Sequence, residues 1–216
     1  MRKTLLTFIL LAFFISVAAK NEKGIIYFKN STSMEAKIDM PGMDSKKLTY
    51  YNEKNKKIKI DSNEIDSIIV WNVEFGNSMC YTLIYTPFKQ HKKKSAEFNL
   101  EGPKWILRNK SNDVLSQYTL AYRYEVEKSG ELKMSTSTVQ LAFQYYLWVL
   151  YKRPHEEYPT LLTQQPRGMA STETYIKWYA PTYFKDCPEI VETITTNKFD
   201  IYTLDTIIDL YKKLCK

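Results

Sequence analysis

Two apolar-rich segments, joined by a short polar stretch, constrain the fold of this chain more than any other feature. Apolar side chains occupy every second position of residues 118–126, and the same period recurs over residues 139–149. A two-residue period is typical of a β-strand with one buried face. The residues between them, 128–138, have the composition of a turn. We therefore predict a long β-hairpin over Gln117–Arg153. A helix over 139–152 is the competing interpretation, and the aromatic and β-branched residues there favour the strand.

The residues before this hairpin predict a run of short strands. Five strand-sized segments lie between residues 24 and 71 and are separated by turn-forming polar residues. Their bounds are 24–30, 34–40, 46–51, 56–60 and 65–71. Short strands at this regular spacing favour a compact meander or a small half-barrel.

Two prolines and a basic segment organise residues 80–109. Residues 80–88 predict a strand that Pro87 ends, and Gly102–Pro103 predicts a turn before the next strand. Residues 89–97, KQHKKKSAE, place four lysines around a histidine. This segment is either a solvated hairpin loop, which is the favoured interpretation, or a patch for an anionic ligand.

The hydrophobic period changes from Ser171 onward. Tyr175, Trp178 and Tyr179 lie at helical spacing, and Pro181 is expected to end or kink that helix. Pro188, at a first helical position, starts a second helix. Residues 203–216 have the clearest helical period, with apolar side chains on one face and lysines in the last turn.

These segments together predict an α+β fold with mainly antiparallel strands. An N-terminal short-strand meander or small half-barrel precedes a central sheet built on the long β-hairpin, and C-terminal helices pack on that sheet. The expected divisions are a short-strand β module over 20–72, an antiparallel β domain over 80–170 and a helical segment over 171–216.

Residues 1–19 have the pattern of a secretory signal peptide. Arg2 and Lys3 form the charged start, an apolar run follows, and the small residues at 17–19 predict cleavage after Ala19. The apolar run is shorter than the ~20 residues that span a bilayer, and an uncleaved anchor is the alternative interpretation. No later segment is apolar enough to span. We therefore expect an exported protein, periplasmic or extracellular, without a transmembrane span after cleavage.

The charge of the chain gives weak guidance about partners. The formal net charge is +7, and it becomes +5 when Arg2 and Lys3 leave with the signal peptide. A modest basic excess indicates weak attraction to anionic surfaces or polymers, or only a lysine-rich soluble surface. We expect an envelope protein or a surface polymer as partner, and no nucleic acid.

The chain has three cysteines, which belong in an oxidising compartment if the protein is exported. Cys187 begins one predicted helix and Cys215 ends the next, so an antiparallel helix pair brings them together. A structural disulfide there would contribute about 3 kcal/mol by the chain-entropy argument. Two unpaired thiols, or a redox pair, are the alternatives. Cys80 is left over, and no role is assigned to it.

No pattern for catalysis, metal binding or cofactor binding is present in the sequence. The two histidines, His91 and His155, lie in separate charged segments, and residues 155–158 lack the second ligand of an H-E-x-x-H motif. Phosphate-binding glycine motifs are missing. Cys80 lies in a strand-like segment, which favours a buried small hydrophobe over a nucleophile. We predict no catalytic residue, no metal site and no cofactor.

The second arm of the predicted hairpin offers one candidate surface for a ligand or partner. Tyr146 and Trp148 lie on the face opposite the predicted core, and Lys152 and Arg153 follow at the end of the arm. Exposed aromatic rings form platforms for sugar rings or surfaces for protein partners. The alternative is that the C-terminal helices or the N-terminal strands cover both aromatic residues.

Several motifs form a recognisable set along the chain. They are K-G-I-I-Y-F-K-N at 23–30, I-D-S-I-I at 65–69, Trp105–Leu107, Tyr151–Thr160, Tyr183–Ile190 and Asp205–Cys215. This set resembles a family of uncharacterised secreted proteins of Gram-negative bacteria. The resemblance implies an exported, β-rich domain with a helical tail. In that family the two C-terminal cysteines recur, which favours the structural disulfide. The resemblance implies no known activity and carries over no catalytic residue.

We expect a non-enzymatic extracytoplasmic protein that serves as a binding or envelope-associated accessory domain. The alternative is an extracytoplasmic hydrolase whose site is assembled from distant residues. That alternative needs a cleft in which His91 or His155 meets carboxylates or Cys80. An exposed aromatic or basic patch without a deep polar pocket would instead favour the binding domain.

Overall fold

The computed structural model describes residues 22–71, 79–91, 97–127, 129–135, 148–163, 172–196 and 206–215. The first range contains the strands β1 Glu22–Phe28, β2 Ser33–Ile38, β3 Lys47–Tyr51, β4 Lys57–Asp61 and β5 Ile65–Trp71. The next ranges contain β6 Cys80–His91, β7 Phe98–Ser111, β8 Ser116–Leu120, β9 Arg123–Val126, β10 Leu132–Ser135, β11 Trp148–Lys152 and β12 Thr160–Leu161. The last two ranges contain the helices α1 Thr172–Tyr183, α2 Pro188–Thr195 and α3 Thr206–Leu214. The five predicted N-terminal strands and the three predicted helices are confirmed.

One large sheet organises the molecule. Its strand order is β12-β11-β8-β7-β6-β5-β1-β2-β3-β4, and neighbours in this order are antiparallel. β12 also pairs in parallel with the far end of β6, with Thr160 opposite Lys89. This additional pairing closes β6, β7, β8, β11 and β12 into a ring. β9 and β10 form a separate two-stranded sheet. The α+β class with mainly antiparallel strands is therefore confirmed.

Because the β6–β7 hairpin is bent, the first part of β6 pairs with the N-terminal strands and its end completes the ring. Its residues Cys80–Ile84 pair with β5, whereas its end pairs with β12. Between these two parts, the register of the β6–β7 ladder shifts at Pro87, which lies across from Gly102 and Pro103. Prolines fit such a β-bulge because a bulge interrupts the ladder of hydrogen bonds. The expectations that Pro87 ends a strand and that Gly102–Pro103 forms a turn are wrong, since both strands continue through the bulge.

Three hydrophobic clusters fill the spaces between the layers. Neighbouring residues of a strand face opposite sides, so one strand serves two clusters. β7 places Ile106 inside the ring and Trp105 in the cluster that the N-terminal strands form on the other face. β11 places Leu150 inside the ring and Tyr151 beneath the helices. The ring interior is completed by Met43, Phe88, Tyr118, Leu120 and Leu161.

The predicted long hairpin is only partly present in the described residues. β8 and β11 pair antiparallel, as expected for its two arms. The first arm ends at Leu120, however, and the chain then turns into the separate β9–β10 sheet. The buried hydroxyl of Tyr124 stabilises this break, because it accepts a hydrogen bond from the N–H of Ala121 and donates to a backbone carbonyl of Thr119 or Trp105. Residues 136–147, which include Tyr146, lie outside the described residues.

One detail of the helical segment and one of β6 differ from expectation. α1 does not end at Pro181 but continues to Tyr183. A proline in the last turn removes only one internal hydrogen bond, and the burial of Ala180 and Phe184 holds that turn against the sheet. Cys80 is exposed at the start of β6, so the expectation of a buried residue is wrong. Pro188 occupies the first turn of α2 as predicted.

A disulfide joins Cys187, which caps the start of α2, to Cys215, which follows α3. The two Cα atoms are 5.5 Å apart, a common separation for a disulfide. The predicted structural disulfide is therefore confirmed. It holds together the two ends of a helix pair that packs on the outer face of the ring.

Other expectations concern parts of the chain that the structure describes only partly. The predicted signal peptide, residues 1–19, lies outside the described residues. None of the helices in the described ranges combines the length and the apolar character that a membrane span requires. The expected division between residues 20–72 and 80–170 falls within one continuous sheet, because β5 pairs with β6.

The central packing residue of the N-terminal cluster is Trp105, and its replacement tests this fold. Its side chain is fully buried, and its indole N–H donates to the carbonyl of Ser45 at 3.0 Å. We expect Trp105→Ala to lower the free energy of unfolding by about 3–5 kcal/mol, because a large cavity remains and the hydrogen bond of the indole is lost. Urea unfolding measures this change. Trp178→Ala is the control, since Trp178 is 59% exposed and its loss should change the unfolding free energy by less than about 0.5 kcal/mol. Equal losses in the two variants would contradict this packing.

The disulfide is tested by peptide mapping of the mature protein without reductant. We expect one cross-linked peptide pair that contains Cys187 and Cys215, and alkylation of Cys80 alone. Replacing both bonded cysteines with serine should lower the free energy of unfolding by about 3 kcal/mol, because the unfolded chain regains its freedom. Cys80→Ser is the matched control and should have little effect, as the residue is exposed. Alkylation of Cys187 and Cys215 in the native protein would show that they are unpaired.

Candidate functional site

The surface predicted from the sequence is divided between the exterior and the interior of the protein. Trp148 is half-buried, and its ring contacts Tyr122 with 5.6 Å between the ring centroids. Its indole N–H is buried without a hydrogen-bond acceptor among the described residues. Lys152 is half-exposed at the end of β11. Tyr146 lies outside the described residues, so the aromatic pair proposed from the sequence stays a prediction.

Arg153 lies in the interior rather than on this surface, with only 6% of its area exposed. The guanidinium is therefore not part of an exposed surface. Its guanidinium donates to four acceptors, and its nearest carboxylates belong to Glu156 and Asp186. The other two acceptors are the hydroxyl of Tyr211 at 2.9 Å and the backbone carbonyl of Tyr183 at 2.9 Å. We call these five residues the arginine cluster.

Aromatic rings and hydroxyl groups complete the arginine cluster. The guanidinium carbon lies 4.4 Å from the ring centroid of Tyr183 and 5.4 Å from that of Tyr211, which is a favourable cation–π geometry. Tyr183 donates its hydroxyl proton to Glu156, and Tyr211 donates to Asp186. Burial raises the pKa of both tyrosines, and the charge of Glu156 raises the pKa of Tyr183 further. Both hydroxyls therefore keep their protons at neutral pH.

The arginine cluster stabilises the packing of the helices on β11 rather than forming a binding site. It joins the end of β11 to the end of α1, to the residue before Cys187 and to α3. A buried cation is tolerated when its hydrogen-bond donors are paired and opposite charges are near. Four hydrogen bonds and two carboxylates meet that condition here, so little capacity remains for an external anion.

A second group of aromatic residues lies where α1 meets the far end of the β6–β7 hairpin. Ring contacts run in an unbroken line from Trp178 through Tyr175, Tyr179 and His91 to Phe98. His91 stacks on Tyr179 with 4.1 Å between the centroids. Leu100 follows Phe98 on the same face of β7. We call these five rings together with Leu100 the aromatic strip.

Both ends of the aromatic strip are open to solvent, whereas its middle is packed. Trp178 is 59% exposed and Leu100 is 58% exposed. Tyr175 is buried, and Tyr179, His91 and Phe98 are half-buried. The strip therefore presents two protruding apolar side chains on an ordered aromatic base. Among the described residues, the other large apolar side chains with comparable exposure are Met79 and Leu214.

Half of the aromatic strip had a signal in the sequence, and half did not. The helical spacing of Tyr175, Trp178 and Tyr179 was visible, but it does not show which ring faces solvent. His91 belongs to the basic segment 89–97, for which a loop is the favoured interpretation, and Phe98 follows that segment directly. In the structure β6 extends to His91 and β7 begins at Phe98. Residues 92–96 lie outside the described residues. The pairing of β6 with β12 and the packing of α1 bring these two parts of the chain together.

The described residues do not assemble the histidine and thiol that a hydrolase would need. Cys80 and His91 occupy opposite ends of β6, and at ~3.3 Å per residue the path along the strand between them is roughly 36 Å. His91 is instead packed between the rings of Tyr179 and Phe98. His155 is exposed in the turn after β11. The described ranges also hold no group of three His, Cys, Asp or Glu residues that could bind a metal ion.

Comparison of the chain with models of protein families, with curated proteins and with solved structures finds no match. The resemblance to a family of secreted proteins therefore stays a prediction.

The structural role of the arginine cluster predicts a large difference between two adjacent residues. Arg153→Ala should lower the free energy of unfolding by about 3–5 kcal/mol, because two carboxylates, one hydroxyl and one backbone carbonyl lose their common donor. Lys152→Ala is the matched control and should change it by less than about 0.5 kcal/mol. Chemical unfolding measures both values. If Arg153→Ala is as stable as the control and instead loses binding to cell envelopes, Arg153 acts in recognition and not in stabilising the fold.

Proposed function

We propose that this chain is an exported, non-enzymatic protein that acts as a binding or envelope-associated accessory domain through its aromatic strip. The observation that carries the proposal is the exposure of Trp178 and Leu100 at the two ends of one continuous line of packed rings. Exposed aromatic and aliphatic side chains on an ordered base are suited to contact with another surface.

The packed base of the aromatic strip supports a role in recognition. A tryptophan is among the residues that contribute most to binding when a partner buries it, because it offers a large apolar area with few rotatable bonds. Trp178 packs edge-on against Tyr175, with 5.6 Å between the centroids and 80° between the rings. Tyr175 is itself buried, so the exposed ring stands on a fixed support.

Export is supported by two independent features. The sequence of residues 1–19 has the signal-peptide pattern, and the disulfide between Cys187 and Cys215 is of the kind that persists in oxidising compartments. The catalytic alternative has less support, because Cys80 and His91 are held apart by the full length of β6. Trp148 is half-buried and packs against the hydrophobic cluster inside the ring, so the predicted face with Tyr146 has less support as a second candidate surface.

The proposal is tested by co-sedimentation of the mature chain with isolated cell envelopes. We expect the double variant Leu100→Ser with Trp178→Ser to bind at least about 30-fold more weakly, the loss typical of a central interface tryptophan. Met79→Ser is the matched control, because Met79 is 45% exposed at the other end of β6 and should not affect binding. Unfolding curves establish that all variants are folded. Equal binding by the double variant and the wild type would refute a role for the aromatic strip.

A further inference from the structure

We infer that the aromatic strip docks on the surface of an anionic phospholipid membrane. This inference rests on the proposed function and names the partner of the same surface. A membrane surface is one of three candidate occupants, beside a polysaccharide and a protein. The ring geometry, the small exposed apolar area and the neighbouring charges distinguish among them.

The angles between successive rings do not suit a sugar polymer. Sugar rings stack on flat aromatic faces, so a polysaccharide platform needs neighbouring rings that are close to coplanar. Along the aromatic strip the successive angles are 80°, 34°, 13° and 66°. The pair with the smallest angle, Tyr179 and His91, is stacked face to face, so these two rings cover each other. A flat platform is therefore not formed by the rings of the strip.

The exposed area is small for a stable protein interface. A specific protein–protein interface buries about 800 Å² on each partner. A tryptophan contributes roughly 150–250 Å² when it is buried completely, and the other strongly exposed side chain of the strip is Leu100. A lipid surface has no fixed shape to match, and it accepts a few protruding apolar side chains at the level of its headgroups.

The type and placement of the exposed residues fit the interface between lipid and water. Tryptophan is enriched there because its ring is apolar while its N–H remains available to polar groups. Trp178 and Leu100 protrude from two different elements, α1 and β7, which gives two points of contact.

Lysines lie next to both protruding side chains. Lys89 is the cross-strand neighbour of Leu100 in the β6–β7 ladder, and Lys177 precedes Trp178 on α1. Both are half-exposed. Lysine side chains lay their apolar stems along a surface and place the charged group among lipid phosphates. This arrangement of apolar tips beside positive charge favours an anionic membrane over a neutral one.

The inference is tested with vesicles of phosphatidylcholine, with and without one-third phosphatidylglycerol, in co-sedimentation with the mature chain. We expect binding to the anionic vesicles that is at least about 10-fold stronger than to the neutral ones, and that weakens as salt is raised. The variant Leu100→Ser with Trp178→Ser should lose at least about 10-fold in affinity, whereas Met79→Ser should bind like the wild type. Lys89→Gln with Lys177→Gln should bind the two kinds of vesicle more nearly equally.

Quenching of tryptophan fluorescence by brominated lipids gives a second measurement, which reports contact between an indole ring and the bilayer. Lipids that carry bromine on the upper part of the acyl chain should quench the wild type more than Trp178→Ser, because Trp178 reaches the interface. Equal quenching in the two proteins would overturn the inference. So would self-association, if sedimentation velocity shows a dimer that Trp178→Ser abolishes, since the strip would then be covered by a second copy.

The outcomes separate the inference from the proposed function. Binding to cell envelopes that depends on Trp178 and Leu100, without binding to the vesicles, overturns the membrane as the partner and leaves a binding role through a protein. Binding to envelopes that does not depend on these residues overturns the proposed role of the aromatic strip as a whole.

Discussion

The bulge in the β6–β7 hairpin is the constraint on which the rest of the structure depends. Only Cys80–Ile84 of β6 pair with β5. The bend at Pro87, across from Gly102 and Pro103, turns the far half of the hairpin away from the N-terminal strands. That half then pairs with β12 and closes the ring. The two ends of one hairpin thus serve two packing units, and the hydrophobic clusters on either side follow from this division.

The helical segment is fixed by a different combination of forces. Burial of apolar side chains brings α1, α2 and α3 onto the outer face of β11. Apolar contacts have no preferred direction, so they do not by themselves specify one arrangement of three short helices. The arginine cluster and the disulfide supply that direction, because hydrogen bonds and a covalent bond require particular distances. Arg153 meets acceptors from three separate parts of the chain, and Cys187 follows one of them directly.

The β6–β7 bulge and the fixed packing of the helices together create the aromatic strip. The bulge directs the end of β6 towards β12, and the helical packing places α1 beside it. His91 and Tyr179 can then stack, although 88 positions of sequence separate them. The same arrangement takes Arg153 out of reach of a ligand and leaves Trp178 and Leu100 exposed. The proposed contact surface is therefore a product of the whole fold and does not belong to any one segment.

Local patterns determined much of the architecture from the sequence alone. The five N-terminal strands, the helix that begins at Pro188 and the last amphipathic helix each have a signal within a few neighbouring residues. The disulfide followed from two such signals, because an antiparallel helix pair brings Cys187 to Cys215. In each of these elements the residues that decide the conformation are also neighbours in the chain.

Only the tertiary structure decided the features that depend on distant partners. Pro87 and Gly102–Pro103 have the composition of chain breaks, yet opposite each other they form a bulge. Tyr124 continues the alternation of a strand, yet its hydroxyl bonds the backbone and ends β8. Arg153 follows a strand as a surface residue would, yet acceptors from α1 and α3 bury it. A residue's own neighbours set its conformational preference, whereas burial and hydrogen bonding depend on which remote groups reach it.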